Sequence, residues 1–138
     1  MSIKSPGGST YPYYYKGGEI HGLKYGSFFG DEQRLFAVMD AEESFIRQRP
    51  ARLFRAWVDF YETAITDNVM AKFVKHTQSI GGQLVKLAIV GCSAKDRSRI
   101  KKAMKKSDPE LAERCAFYDD PEEAKTWLVA SAAGKAGN

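Results

Sequence analysis

The stretch Leu84-Val-Lys-Leu-Ala-Ile-Val-Gly-Cys-Ser-Ala-Lys-Asp-Arg-Ser-Arg-Ile-Lys-Lys-Ala-Met-Lys-Lys-Ser107 decides the fold class. The uninterrupted apolar run from Leu87 to Val90 predicts a strand covered on at least one face by helices. Gly91 lets the chain turn sharply without a side-chain penalty. The polar residues after it lead into a strongly basic segment predicted to be helical. Strand, turn and helix in that order form the repeating unit of an α/β domain. They announce no reaction.

Upstream the same alternation continues. Thr66 is placed to cap a helix carrying Val69, Met70, Phe73, Val74 and Ile80 on one side, and Gly81-Gly82 stops it. Before it, Phe54, Ala56, Val58 and Phe60 alternate with Arg55, Trp57 and Asp59, the period of a strand. Glu62-Thr-Ala-Ile-Thr66 links the two as a loop. Asp31 can cap an earlier helix in which Leu35, Phe36, Val38, Met39, Phe45 and Ile46 recur at helical spacing until Pro50 ends the pattern. Ile20 to Phe29 reads as an extended segment or short hairpin.

Downstream, Ser107-Asp-Pro-Glu110 predicts a short helical turn, and Ala116-Phe-Tyr118 a short last strand. Asp120-Pro-Glu-Glu123 opens a capped final helix, with Ala124, Trp127 and Leu128 on its buried side. Residues 1–18 mix glycine, serine, proline and the tyrosines Tyr11, Tyr13, Tyr14 and Tyr15 without periodicity. They are predicted to be a flexible arm, residues 19–130 one domain, and residues 131–138 a fraying tail. Strands alternating with helices imply an α/β fold with mainly parallel pairing and right-handed crossovers.

Composition fits that picture. A chain of 138 residues suits a single core, and its 43% apolar and 28% charged residues are ordinary for a globular domain. No run approaches the ~18–20 apolar residues of a membrane span. The N-terminal residues show no apolar signal core, and two cysteines cannot form a disulfide framework, so a cytoplasmic location is expected. The net charge of +4 favours an acidic partner without marking a dedicated nucleic-acid binder.

Three stretches, in order and spacing, carry a family resemblance: Val58-Asp-Phe-Tyr-Glu-Thr-Ala-Ile-Thr66, Lys86-Leu-Ala-Ile-Val-Gly91 and Phe117-Tyr-Asp-Asp-Pro-Glu-Glu-Ala-Lys-Thr-Trp-Leu128. From about Ile20 to Val129 the chain resembles the STAS-like family related to bacterial anti-sigma-factor antagonists, in its SpoIIAA-like branch. The resemblance implies a sheet of four to five strands with helices packed mostly on one face. It also implies a regulatory or interaction module without chemistry of its own. The family's phosphorylated regulators carry Asp-Ser-Ser-Gly where the second strand meets its helix. Here that stretch is Asp67-Asn-Val-Met70, so Val69 stands where the hydroxyl is expected and no switch of that kind is implied.

Candidates for chemistry are few. Cys92 lies between a strand and a helix, as in phosphatase loops, but the arginine needed at position 98 is Ser98, with Arg97 and Arg99 each one place out. His21 and His76 lack neighbours at metal-ligand spacing. Glu62 and Asp67 flank a loop with no nucleophile beside them, and capping and solvation account for them. There is no Gly-x-Gly-x-x-Gly fingerprint and no P-loop, so no cofactor is expected.

The basic segment is less ordinary. Lys95, Arg97, Arg99, Lys101, Lys102, Lys105 and Lys106 face the single acid Asp96, with an acidic stretch following. It reads either as a solvated face balanced by that stretch or as a docking surface. Nucleic acid is disfavoured, because no aromatics interleave with the charge.

Two functions follow as expectations. The first is a non-enzymatic regulatory or protein-interaction module, self-association included, using Thr63, Thr66, Asp67, Asn68, Ser93, Lys95, Arg99 and Lys102. These lie on loops expected at the C-terminal ends of neighbouring strands. The second is a carrier of a small apolar ligand or lipid, as in the related CRAL-TRIO fold, with a pocket of Phe45, Phe54, Trp57, Val58 and Phe73, which otherwise fill the core.

Overall fold

The computed structural model describes residues 3–49 and 53–130. The short strands β1 (Ile3–Lys4) and β2 (Thr10–Tyr11) pair antiparallel, and β3 (Tyr13–Tyr15) joins β4 (Gly18–Lys24) antiparallel. The chain then alternates: α1 (Glu32–Arg47), β5 (Phe54–Asp59), α2 (Asp67–Ile80), β6 (Leu84–Val90), α3 (Ala94–Ser107), α4 (Pro109–Glu113), β7 (Cys115–Tyr118) and α5 (Pro121–Val129). The result is an α/β fold on a five-stranded sheet of order β3-β4-β5-β6-β7, parallel from β4 onward.

Spatial order equals chain order, and this fixes the layers. Each crossover from β4 to β7 steps to the next strand in the same direction, so right-handed crossovers place α1, α2 and α3 on one face. There Leu23, Val58, Leu87 and Ile89 meet Leu35, Met39, Phe73, Ile80, Ile100 and Met104 in the main core. The last helix, α5, crosses to the opposite face, where Ala124 and Leu128 pack on Ile20, Ala88 and Val90. Because β6 is covered on both faces, its sequence is continuously apolar from Leu87 to Val90.

The helix starts follow local chemistry. Asp31, Thr66, Ser93, Asp108 and Asp120 each accept a backbone N–H of the first turn, and proline opens α4 and α5. None of the described helices is long and apolar enough to cross a membrane.

Residues 3–15 correct the expectation of a flexible arm. Lys16 and Gly17, at φ 47° and 85°, form a tight two-residue turn that folds Tyr13–Tyr15 back on Gly18–Ile20. Gly8, at φ 94°, serves the β1–β2 hairpin in the same way. Ser5 and Ser9, which close the loop of that hairpin, are buried. The predicted tail, 131–138, lies outside the described residues.

The carrier's pocket does not assemble either. Val58 and Phe73 are sealed in the main core, Phe45 stacks on His21, and Trp57 faces α5 on the other side of the sheet. Strand alternation forces this, since adjacent Trp57 and Val58 point to opposite faces.

Candidate functional site

Where β4 and β5 end, two turns are stitched together. Ser27 N–H donates to Tyr61 O (2.6 Å), Phe29 N–H to Glu62 O (2.8 Å) and Ala64 N–H to Phe29 O (2.8 Å). Thr63 completes the seam: its hydroxyl donates to Tyr25 O at 2.6 Å and accepts from Phe28 N–H at 3.2 Å. Ser27, Phe29 and Glu62 adopt φ of 64°, 52° and 57°. Side-chain-bearing residues take that conformation at a cost of about 1–3 kcal/mol each, and only where surrounding structure over-determines it. Gly26 permits the approach, since a Cβ there would lie 2.7 Å from Tyr61 O.

These turns hold two large apolar side chains in solvent: Phe29 is 63% exposed and Tyr61 62%. The turn after β6 abuts them, with Gly91 at φ 85° and its notional Cβ 2.5 Å from Tyr61 N. Arg99 of α3 reaches the same edge, donating to Ile65 O (2.8 Å), Asp67 (2.6 Å) and Asp96 (2.9 Å). The hydrogen bonds to Asp67 and then Asp96 raise its already high pKa further.

The structure therefore gathers Thr63, Thr66, Asp67, Asn68, Ser93, Lys95 and Arg99 toward one edge, with Lys102 more than two turns along α3, but engages most of them internally. Thr66 caps α2 and donates to Glu32 (2.6 Å), and Asn68 donates to Glu32 (3.4 Å). Ser93 caps α3. Lys95 and Lys102 are exposed. Among the described residues, Lys95, Lys101, Lys102, Lys105 and Lys106 have no carboxylate within ion-pair distance, and Arg97 pairs with Asp119. The acidic stretch after α3 thus neutralises Arg97 but leaves these five lysines without an ion-pair partner. Phe29 and Tyr61 were missed because exposure of an aromatic leaves no mark in periodicity.

Both histidines are buried beside a glutamate of α1. Tyr25 donates its hydroxyl to His76 Nε2 (2.7 Å), and His76 Nδ1–H donates to Glu43 (3.0 Å), which also accepts from Ser79 (2.8 Å). Desolvation depresses the His76 pKa against the opposing pull of Glu43. Burial would raise the Glu43 carboxyl, but hydrogen bonds from His76 and Ser79, with the His76 and Arg47 charges, hold it below its ordinary value. Desolvation, reinforced by Glu42, Glu43 and Asp40, pushes Tyr25 well above the usual phenol value, so it remains a neutral donor.

At the preceding position of α1, Glu42 accepts from Ser5 (2.8 Å) and Gly7 N–H (2.9 Å) and faces His21 Nε2 at 3.1 Å. The His21 ring stacks on Phe45, with Tyr11 edge-on. Tyr25 and His21 are fully or almost fully buried, so these chains tie elements together. A sequence signal for this existed: Leu35, Met39, Glu42 and Ile46 share one helical stripe, which buries Glu42.

The thiols are quiet. Burial pushes both Cys92 and Cys115 up to about 12, so neither is a thiolate nucleophile at neutral pH. Among the described residues no cluster of three or more histidine, cysteine or acidic side chains is arranged to hold a metal ion. Compared with protein-family models, curated proteins and solved structures, the chain matches none of them.

Proposed function

We propose that this chain is a non-enzymatic regulatory or protein-interaction module of STAS-like type, docking a protein partner at the edge formed by the turns after β4, β5 and β6. The observation that carries this reading is the exposure of Phe29 and Tyr61 on hydrogen-bonded turns held in the left-handed region. Rigid aromatic anchors lose little conformational entropy on binding and dominate the energetics of interfaces. The unneutralised lysines of α3 add a preference for an acidic partner and a salt-sensitive encounter. The sequential sheet with helices mostly on one face is the architecture that the STAS-like resemblance implies. Quiet thiols and buried histidines that serve as ties also favour a binding role over a chemical one.

The test is a comparison of proteins retained from native extract by three immobilised forms: the native chain, Phe29→Ser/Tyr61→Ser, and Lys101→Glu/Lys102→Glu/Lys105→Glu. A partner held by the native chain, lost with the first variant and weakened with the second or at higher salt is the expected result. Identical retention by native chain and Phe29→Ser/Tyr61→Ser would remove this edge as the docking surface.

A further inference from the structure

A cleft of about 280 Å³ opens on the α5 face of the sheet, between the β1–β2 hairpin and the side chain of Lys125. We infer that it is a binding site for a small aromatic anion, a carboxylate on one or two fused rings. Its place is on the opposite side of the sheet from the main core, and it goes beyond the docking edge.

The charge comes from two ammonium groups. Lys24 lines the cleft and donates to Gly8 O at 3.3 Å, with no carboxylate within ion-pair distance among the described residues. Lys125 lines it from α5, its side chain only 15% exposed, and Glu122 lies 3.7 Å away as its counter-charge. No acidic residue lines the cleft. Of the two lining ammonium groups Lys125 is balanced and Lys24 is not, and the Lys4 ammonium lies just beyond the lining Thr10, so the cleft carries a positive excess that favours an anion.

The aromatic preference comes from the walls. Lys125 sits among three rings, 4.8 Å from the Trp57 centroid, 5.8 Å from Tyr13 and 5.7 Å from Tyr15. These contacts fix the ammonium before any ligand arrives, and Trp57 and Tyr13 give the cleft flat apolar surface. Gly22 keeps the floor open, because a Cβ there would lie 3.1 Å from both Ser9 Oγ and Trp57 Nε1.

Hydroxyls set the polarity at the hairpin side. Ser9 donates to Gly22 O at 2.5 Å, while Thr10 accepts from Lys4 at 3.3 Å and keeps its own proton for a carboxylate oxygen. The volume lies just below the ~300–1,000 Å³ typical of small-molecule sites, which limits the ligand to one or two rings.

Isothermal titration of the full chain with 2-naphthoate and with its uncharged analogue 2-naphthalenemethanol tests the site. Saturable binding of the carboxylate is expected, weakened by about tenfold or more for the alcohol and to a similar extent by Lys24→Met, since a charge-assisted contact is worth at least that much. Lys24 is exposed, so that variant keeps the fold, and its circular dichroism checks this. Amide shifts of Gly22 and Trp57 on titration place the ligand in the cleft. Absence of saturable binding, equal affinity for the two probes, or undiminished binding by Lys24→Met would each overturn the inference.

Discussion

The hydroxyl of Ser5 donates to the Glu42 carboxylate at 2.8 Å, joining the N-terminal hairpin to α1 at a point where Glu42 is wholly buried and Ser5 nearly so. The same oxygen accepts Gly7 N–H, and the other faces His21. Removing the hub strands several buried polar groups at once. Glu42→Ala should cost about 3 kcal/mol, against about 1 kcal/mol for Ser5→Ala, which removes one donor. Urea unfolding measures both. Equal, small losses would mean that solvent reaches this site.

The pH dependence of stability should centre on His76. Its folded pKa lies below the ordinary 6.5, so in the window beneath that value the unfolded chain binds a proton that the folded chain refuses. The stability from the neutral ring is complete above about 6.5 and falls as the pH drops through the folded pKa. Glu43, also depressed, adds a further loss below its ordinary 4.5. The urea midpoint should therefore fall between about pH 7 and 5, and His76→Gln should flatten that fall even though it lowers stability overall. A variant with the native slope would show that another group titrates.

Two glycines with the same φ should respond differently to alanine. Gly17 and Gly91 both sit at φ 85°, but a Cβ at Gly17 meets nothing within 4 Å, while at Gly91 it meets Tyr61 N at 2.5 Å and Phe60 C at 3.0 Å. Gly17→Ala should cost about 1 kcal/mol, the conformational penalty alone. Gly91→Ala must also displace backbone and should cost about 3 kcal/mol or more. Similar losses in the two variants would contradict the close approach of the β5 and β6 turns.

At the proposed docking edge, stability and exposure should separate. Phe29→Ser and Tyr61→Ser each remove an exposed side chain and should change stability by no more than about 0.5 kcal/mol. Thr63→Val removes the hydroxyl that bonds to both Tyr25 O and Phe28 N–H and should cost about 2 kcal/mol. Thermal unfolding of the three variants is the measurement, and a tolerant Thr63 would show that the seam does not need it.

The sequence was most legible where local chemistry and burial act together. The run from Leu87 to Val90, the alternation at Phe54–Asp59 and the caps Asp31, Thr66 and Asp120 all reappear in their predicted roles. It was least legible at residues 3–15, where three consecutive tyrosines hide the two-residue period and glycine signals turn and linker alike. Element order alone brings the loops after the parallel strands to one end of the sheet, where the proposed docking edge lies. Which side chains stay free there depends on tertiary pairing, so Thr66, Asn68 and Ser93 proved to be engaged while Phe29 and Tyr61 stand in solvent.

A sheet whose spatial order is its chain order comes apart from its ends. The edge strand β3 has three residues and β7 has four, and each is held by a single neighbouring strand. Either can detach without uncovering the pairings β4–β5 and β5–β6 beneath α1 and α2. Detachment of β3 would carry away Tyr13, one wall of the cleft, while the stitched turns after β4 and β5 stay assembled. The two faces of the molecule thus belong to different levels of its opening hierarchy, with the cleft dissolving in excursions that the stitched turns survive.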